Sequence, residues 1–219
     1  HLCKVMRDIK TAGHELILVS SGAIGMGVGK LGLRQRPQDI PTKQAAAAVG
    51  QCELMYIYDK LFSKYHHTVA QLLITNDNMV HETRHQNFTN TLNRLLELGA
   101  LPIINENDTV ATEEIVIGDN DTLAAIVAES IDANLLVLLS DIDGLYTADP
   151  HTHPEATLIA EIPEITREIW DLAGGAGSSL GTGGMATKLE AARIAGAAGI
   201  DTVILNGANP AAMYNVVDD

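Results

Sequence analysis

The 219-residue sequence predicts an α/β fold in which a mainly parallel sheet is covered by helices on both sides. The first observation is a series of short apolar runs, often rich in β-branched residues, at 14–20, 68–75, 101–105, 134–140 and 201–206. The second is a series of helical patterns at 44–65, 83–98, 121–131, 165–173 and 186–198. Because strands and helices alternate, we expect crossover connections between parallel strands.

Each predicted element has a local signal. The strands are the apolar runs "HELILVS", "TVAQLLIT", "LPIIN", "NLLVLLS" and "DTVILN", which stop at polar or glycine residues. In the helical pattern at 121–131, one face is formed by Leu123, Ile126, Val127 and Ile131. Ligands of parallel sheets bind at the carboxyl ends of the strands, so the loops that follow the strands are the candidate site.

Composition and charge exclude several classes of protein. The chain is 46% hydrophobic, and its longest apolar runs, such as 135–139, are far shorter than the roughly 20 residues that a membrane span needs. A formal net charge of −14 disfavours binding to a nucleic-acid backbone. Cys3 and Cys52 lack the spacing of a disulfide framework or a zinc knuckle, so we expect a reducing, cytoplasmic location.

The segment "HETRH" at 81–85 has the spacing of the zinc-protease signature, in which two histidines bind the metal ion and the glutamate is the general base. Such a site needs a third protein ligand. A metzincin would continue with glycine and histidine where this chain has Phe88 and Thr91. Glu106, as a distant third ligand, would lie at the end of a strand. We therefore interpret 81–85 as a solvated helix face and assign no metal ligands.

A glycine-rich stretch precedes the last predicted helix. Gly181, Gly183 and Gly184, followed by Lys188, form the pattern of a phosphate-binding loop, because glycines let backbone N–H groups approach phosphate oxygens and the lysine adds positive charge. A Walker A loop is excluded, since no glycine precedes Lys188 and no Ser or Thr follows it. The stretch "GMGVGK" at 25–30 fails the same test. The alternative interpretation is a flexible surface loop.

Two loops combine carboxylate and amide side chains. "NENDTVA" supplies Asn105, Asn107 and Asp108, and "GDNDTLAA" supplies Asp119, Asn120 and Asp121. The first group offers donors and acceptors suited to the charged ends of an amino acid, with simple turn formation as the alternative. In the second group, capping of the following helix explains one residue, and the others could hold an ammonium group, a lysine or a metal ion.

Nearly the whole chain carries a series of separated motifs: "SSGAIGMGVGKLG", "AAVGQ", "PIINENDTVA", "EIVIGDNDTLAA", "LLSDIDGLYTADP" and "GTGGMATKLEAARIA". In this order they closely resemble the glutamate 5-kinases of the amino-acid kinase family. The resemblance implies a three-layer αβα sandwich. It also implies transfer of the γ-phosphate of ATP to the side-chain carboxylate of L-glutamate, which gives γ-glutamyl phosphate in the first step of proline biosynthesis.

The resemblance implies roles for particular residues. Ser21, Asp108 and Asn120 look like glutamate-binding residues. The implied nucleotide site consists of Ser140, Asp141, Thr182, Gly183, Gly184, Met185, Ala186, Thr187 and Lys188. Lys188 would stabilise the transferring phosphoryl group, Asp121 would hold this lysine, and Mg²⁺ would bridge ATP oxygens. A carboxylate nucleophile needs no general base.

Further expectations concern the chain as a whole. Residues 1–219 are expected to form one amino-acid kinase domain, without the RNA-binding-like PUA domain of some members. The first strand of the family, with a lysine and a glycine turn that hold the phosphates, is expected before His1 and is not among these 219 residues, either because the chain is truncated or because a disordered start precedes it. From the family we also expect a homo-oligomer, either a dimer or a tetramer, and feedback inhibition by proline.

Two alternatives to a glutamate kinase stay open. The first is a sibling kinase that acts on N-acetylglutamate, aspartate, carbamate or UMP, which would share the fold and differ in the "NEND" and "GDND" loops. The second is a regulatory module that binds a nucleotide or an amino acid, suggested only by the missing first strand.

Overall fold

The computed structural model describes residues 1–110, 119–150, 152–174 and 184–217. The chain divides into two compact units. The amino-terminal unit is Met6–Asn120, and the carboxyl-terminal unit is His1–Val5 together with Asp121–Asp219. None of the helices in the described ranges combines the length and the apolar character that crossing a bilayer requires.

The amino-terminal unit contains one parallel sheet. Its elements, together with the helix that leads into it, are α1 (Leu2–Thr11), β1 (Leu18–Val19), α2 (Ala23–Lys30), α3 (Ile40–Ser63), β2 (Val69–Ile74), α4 (Asn76–Val80), α5 (Glu82–Glu97) and β3 (Leu101–Glu106). The strands lie in the order β1-β3-β2, with Val19 opposite Ile104 and Ile74 opposite Glu106. β3 is therefore the central strand, and all of its residues are buried.

Local signals explain where these helices form. Asp39 caps α3, because its carboxylate accepts a hydrogen bond from the Thr42 N–H at 2.9 Å, and Pro41 lies in the first turn. α5 contacts β3 and buries Phe88 and Leu92, which are one helical turn apart. The apolar periodicity of this helix thus matches the face that it buries.

Glycines let α2 and α3 pack with their backbones in contact. A Cβ atom on Gly27 would lie 1.8 Å from the Ala46 carbonyl oxygen, and one on Gly50 would lie 1.6 Å from the Ala23 carbonyl oxygen. No side chain fits at either position. Gly22, with φ of 102°, adopts the left-handed conformation that glycine favours, and α2 begins directly after it.

The carboxyl-terminal unit is built around a second parallel strand pair. Its elements are α6 (Asn120–Ser130), β4 (Leu135–Ser140), α7 (Arg167–Leu172), α8 (Met185–Ala197), β5 (Asp201–Asn206), a 3-10 turn (Pro210–Ala212) and α9 (Met213–Val217). β4 pairs with β5, and Ser140 lies opposite Asn206. α6 and α8 contribute Ala125 and Ala191 to a core with Leu136 and Leu138 of β4. These alanines are fully buried and let the helices approach the strands closely.

The prediction of an α/β fold with parallel strands is confirmed, since every strand pair in the two sheets is parallel. Each predicted strand and helix has a counterpart, with boundaries that differ by a few residues. β1 is shorter than the predicted run 14–20, and α3 begins at Ile40 rather than at 44. α2 and α4 have no predicted counterpart, because glycines and polar residues dominate these segments.

Candidate active site

Two of the predicted glutamate-binding residues follow neighbouring parallel strands of the amino-terminal unit. Ser21 lies exposed, two residues after β1, and Asp108 lies partly buried, two residues after β3. Because β1 and β3 are paired in parallel, their carboxyl ends lie at the same edge of the sheet. This edge is where ligands of such sheets are expected.

The third residue, Asn120, is joined to the same edge through a chain of carboxamides. Asn120 Nδ2 donates to Asn105 Oδ1 at 3.2 Å, and Asn105 Nδ2 donates to Gln51 Oε1 at 3.1 Å. Gln51 Nε2 then donates to Gln71 Oε1 at 3.3 Å. The backbone N–H of Glu106 also donates to Asn105 Oδ1, at 2.9 Å. Asn105 and Gln51 are buried, with 4% and 7% of their surface exposed.

Burial perturbs the ionisation of Asp108. Removal from water raises the pKa of this carboxyl group above its ordinary value, because the charged form loses hydration, and the nearby charge of Arg36 opposes the shift. A partly buried carboxylate without full compensation attracts a cation. The ammonium group of an amino acid is a cation of suitable size.

In the carboxyl-terminal unit, Lys188 and Asp121 form an ion pair. Lys188 Nζ lies 2.9 Å from Asp121 Oδ2, although the two residues are far apart in sequence. Thr187 Oγ1 lies 3.0 Å from the same carboxylate oxygen and 2.7 Å from the Gly184 carbonyl oxygen. Only 5% of the Lys188 surface is exposed. A buried cation is thus held in a defined position by a carboxylate from a different helix.

The remaining described nucleotide-site candidates lie at the start of α8 and at the end of β4. Gly184 is the N-cap residue of α8 and has no side chain to cap the helix, and Met185 and Ala186 form its first turn. Ser140 ends β4, and its hydroxyl donates to Asp141 Oδ1 at 3.2 Å. Thr182 and Gly183 lie outside the described residues. The start of α8 therefore offers helix N–H groups next to a buried lysine.

The "HETRH" segment lies at the junction of α4 and α5. His81 lies between α4 and α5, and its Nε2 atom lies 3.0 Å from Asp77 Oδ1. Arg84 forms an ion pair with the same Asp77 carboxylate. Across the described ranges, no three His, Cys, Asp or Glu side chains are grouped in a way that could hold a metal ion. His81 therefore contacts an exposed carboxylate at the protein surface.

Gln51 belongs to the hydrogen-bonded chain of carboxamides and is not among the residues predicted from the sequence. The motif "AAVGQ", which ends at Gln51, is part of the family resemblance, but the resemblance implies no role for its residues. A signal was present, because Gln51 interrupts the buried face of α3 that includes Ala46, Ala47, Gly50 and Leu54. A buried polar side chain in such a face needs a hydrogen-bond partner. Sequence alone could not identify that partner, which is 54 residues away.

Sequence comparisons relate the chain to a kinase family. The amino acid kinase family model matches residues 1–206. A glutamate 5-kinase from Clostridium tetani is 52% identical over 218 residues, which are 100% of this chain and 82% of the relative. A glutamate 5-kinase from Clostridium perfringens is 50% identical over 221 residues, covering 99% of this chain and 82% of the relative.

Comparisons with solved structures agree on the fold. A carbamate kinase from Giardia lamblia bound to AMP-PNP matches with a TM-score of 0.67 at 14% identity, over 98% of this chain and 86% of that one. An isopentenyl phosphate kinase from T. acidophilum, in a product complex, matches with a TM-score of 0.62 at 18% identity and the same coverage. Such low identities show a shared fold and no more.

Proposed function

Because this chain belongs to the amino-acid kinase family, we propose that it is a glutamate 5-kinase. It transfers the γ-phosphate of ATP to the side-chain carboxylate of L-glutamate and forms γ-glutamyl phosphate, the first intermediate of proline biosynthesis. The observation that carries the proposal is the 50–52% identity to relatives of that name over essentially the whole chain. The Lys188–Asp121 ion pair and the polar edge of the amino-terminal sheet support it.

Lys188 is the residue that we assign to stabilisation of the transferring phosphoryl group. Phosphoryl transfer between anions depends on positioning and on charge neutralisation, since the protein has little covalent work to do. Before the reaction begins, the Asp121 carboxylate accepts hydrogen bonds from Lys188 Nζ and from Thr187 Oγ1, which fixes the position of the ammonium group. A cation fixed in this way stabilises developing charge without reorganisation during the reaction.

The start of α8 is the proposed phosphate-binding element. Its first-turn N–H groups carry partial positive charge, and the N-cap residue Gly184 has no side chain to occupy the helix end. We also assign Ser140 and Asp141, at the end of β4, and the undescribed Thr182 and Gly183 to this nucleotide site. The start of a helix beside a buried lysine suits a polyphosphate.

Mg²⁺ is the metal ion that we propose to accompany ATP. The described residues offer no ready-made cluster of acidic ligands, so the ion would be held mainly by nucleotide oxygens and water. When bound, Mg²⁺ neutralises charge on the phosphate oxygens. Nucleotide oxygens and water are ordinary ligands for Mg²⁺, because this ion dehydrates reluctantly and keeps several waters in phosphate complexes.

Glutamate recognition is assigned to the amino-terminal unit. The Asp108 carboxylate would bind the substrate ammonium group, with Asn120 and Ser21 as further polar partners at the same strand ends. The carboxylate nucleophile of glutamate is ionised at neutral pH, so none of these residues needs to remove a proton. Their task is to bind and orient the substrate.

The proposed function is tested by the rate of ADP release with L-glutamate, N-acetylglutamate, aspartate, carbamate and UMP as separate acceptors. We expect turnover with ATP and L-glutamate and rates at least tenfold lower with the others. A preference for one of the other acceptors would identify a sibling kinase. ATP or glutamate binding without ADP release from any acceptor would indicate a regulatory binding module instead.

Asp108→Asn is expected to raise the KM for glutamate by about ten- to a hundredfold and to leave the KM for ATP nearly unchanged, because it removes a charged hydrogen-bond partner. Steady-state kinetics with each substrate varied in turn would measure both constants. An equal increase in the two KM values would remove Asp108 from the glutamate site.

The same substitution should change the pH dependence of stability. Since burial raises the pKa of Asp108 in the folded protein, the carboxyl group contributes stability that is present below its unfolded pKa and is lost as pH rises through its folded pKa. Ligand-free Asp108→Asn should therefore gain in Tm relative to the wild type as the pH rises through the range above the ordinary aspartate pKa of about 4. A Tm difference that shrinks over this range would contradict the assignment.

The family resemblance carries three further proposals. We propose that residues 1–219 form one kinase domain, that the protein assembles into a dimer or tetramer, and that proline inhibits it. A cytoplasmic location, where ATP is available, fits these proposals. Sedimentation velocity would measure the assembly, and the glutamate-dependent rate with added proline would measure the inhibition.

A further inference from the structure

We propose that Gln51 is a positioning residue for glutamate recognition and that it acts through Asn105 on Asn120. The inference rests on the proposed function and concerns a side chain in the middle of α3. Gln51 would not touch the substrate. It would determine how strongly, and in which orientation, the Asn120 carboxamide meets it.

The backbone of Glu106 sets the orientation of the amides. The oxygen and nitrogen of a carboxamide are distinguished by their hydrogen-bond partners, and the Glu106 N–H can only donate. The Asn105 atom that it contacts, at 2.9 Å, is therefore the oxygen. The Asn105 nitrogen then faces Gln51, which must accept with its own oxygen. One backbone group thus fixes the orientation of two buried side chains.

The same constraint extends to Asn120. Asn105 Oδ1 accepts a second hydrogen bond, from Asn120 Nδ2 at 3.2 Å. The Asn120 amide nitrogen thus donates to a protein oxygen, and the Asn120 amide oxygen lies on the opposite side of the amide group. This arrangement presents an acceptor, which suits the substrate ammonium group and disfavours a carboxylate.

The hydrogen bonds also run in one direction. Asn120 donates to Asn105, Asn105 donates to Gln51, and Gln51 donates to Gln71. An amide whose N–H donates becomes a better acceptor at its oxygen, so aligned bonds in a buried chain polarise one another. The Asn120 oxygen is the acceptor end of this chain. Gln51, at 7% exposure, supplies the buried link between the site and the exposed Gln71.

A double-mutant cycle tests the inference. Gln51→Met keeps the length of the side chain and removes its acceptor, so we expect kcat/KM for glutamate to fall about fivefold, the usual effect of one neutral hydrogen bond. The loss should appear in the KM for glutamate, with kcat and the KM for ATP unchanged. In an Asn120→Ala background, Gln51→Met should change kcat/KM by less than twofold, because the residue through which it acts is absent.

The controls separate positioning from general destabilisation. Gln86→Met, on the exposed surface of α5, removes an amide that bonds only within its own helix and should leave all kinetic constants unchanged. Gln51→Asn shortens the side chain by one methylene and withdraws the amide from Asn105, so it should give the same kinetic result as Gln51→Met. If Gln51→Met does not fold, Gln51→Asn takes its place in the test. Melting temperatures establish folding in each case.

The outcomes distinguish the inference from the function on which it rests. A further fivefold loss in the Asn120→Ala background, or an equal effect of Gln51→Met on both substrates, would overturn the role of Gln51 while the kinase assignment stands. A wild-type protein that does not phosphorylate glutamate would overturn both. A change below twofold in the glutamate KM of folded Gln51→Met would also exclude the positioning role.

Discussion

Lys188→Met is expected to lower kcat by a factor of about a hundred or more while ATP and glutamate still bind, the usual result of removing one donor that stabilises developing charge. Lys188 is buried and lies 2.9 Å from Asp121, so we expect its position to change little during the reaction. Methionine keeps most of the side-chain length and removes the charge. The substitution therefore tests charge stabilisation more than packing.

The measurement is steady-state kinetics together with a direct ATP-binding titration. If Lys188 only anchors the nucleotide in the ground state, the KM for ATP will rise and kcat will survive. Lys64→Met, at the exposed end of α3, is the matched control and should behave like the wild type. Unchanged kcat and KM in Lys188→Met would remove the lysine from the site.

The removal of the lysine also leaves the partly buried Asp121 without its cationic partner. Losing one partner of a buried ion pair commonly destabilises a protein by about 3–5 kcal/mol. Kinetics must therefore be measured well below the melting temperature of the variant. The companion substitution Asp121→Asn should lower kcat less than Lys188→Met, because the cation is retained and only its fixed orientation is lost.

Gly50→Ala should destabilise the protein by about 3 kcal/mol and lower its Tm by roughly 10 °C, since a backbone contact leaves no space for a methyl group. A Cβ atom at this position would lie 1.6 Å from the Ala23 carbonyl oxygen, so α2 must move away from α3. The gain in helix propensity from glycine to alanine, about 1 kcal/mol, is smaller than this strain.

Gly29→Ala is the control for Gly50→Ala. Gly29 lies in α2, and a Cβ atom there would meet nothing within 4 Å, so the same substitution should be neutral or stabilise by up to about 1 kcal/mol. Thermal unfolding of the two variants separates packing strain from propensity. Because α2 begins just after Ser21, Gly50→Ala should also raise the KM for glutamate. Equal Tm values for the two variants would contradict backbone contact between α2 and α3.

Regular patterns along the chain were enough to predict much of the fold. The run "NLLVLLS" and the repeat in 121–131 correspond to β4 and α6, because apolar periodicity directly reflects which face a segment buries. The order of strands and helices then implies parallel pairing and places ligands at strand ends. Ser21, Asp108 and Ser140 could therefore be located at the ends of strands without a structure.

Glycine-rich segments show the limit of such patterns. "AIGMGVGK" has poor helix propensity and shows no helical pattern, yet it forms α2. The reason is tertiary, because glycine at 27 and at 50 lets two helix backbones approach closely, and α3 supplies the packing that α2 needs. Propensity is a local quantity and contains no information about a partner helix.

The sequence by itself determined the class of fold, the segments that carry polar groups to the strand ends, and the family. The tertiary structure alone decided which of those groups meet. Lys188 pairs with Asp121, and Gln51 bonds to Asn105, across separations of 67 and 54 residues. Contacts of this kind depend on the packing of whole helices and strands, and hydrogen bonds form only when that packing brings donor and acceptor within about 3 Å. No local pattern encodes that distance.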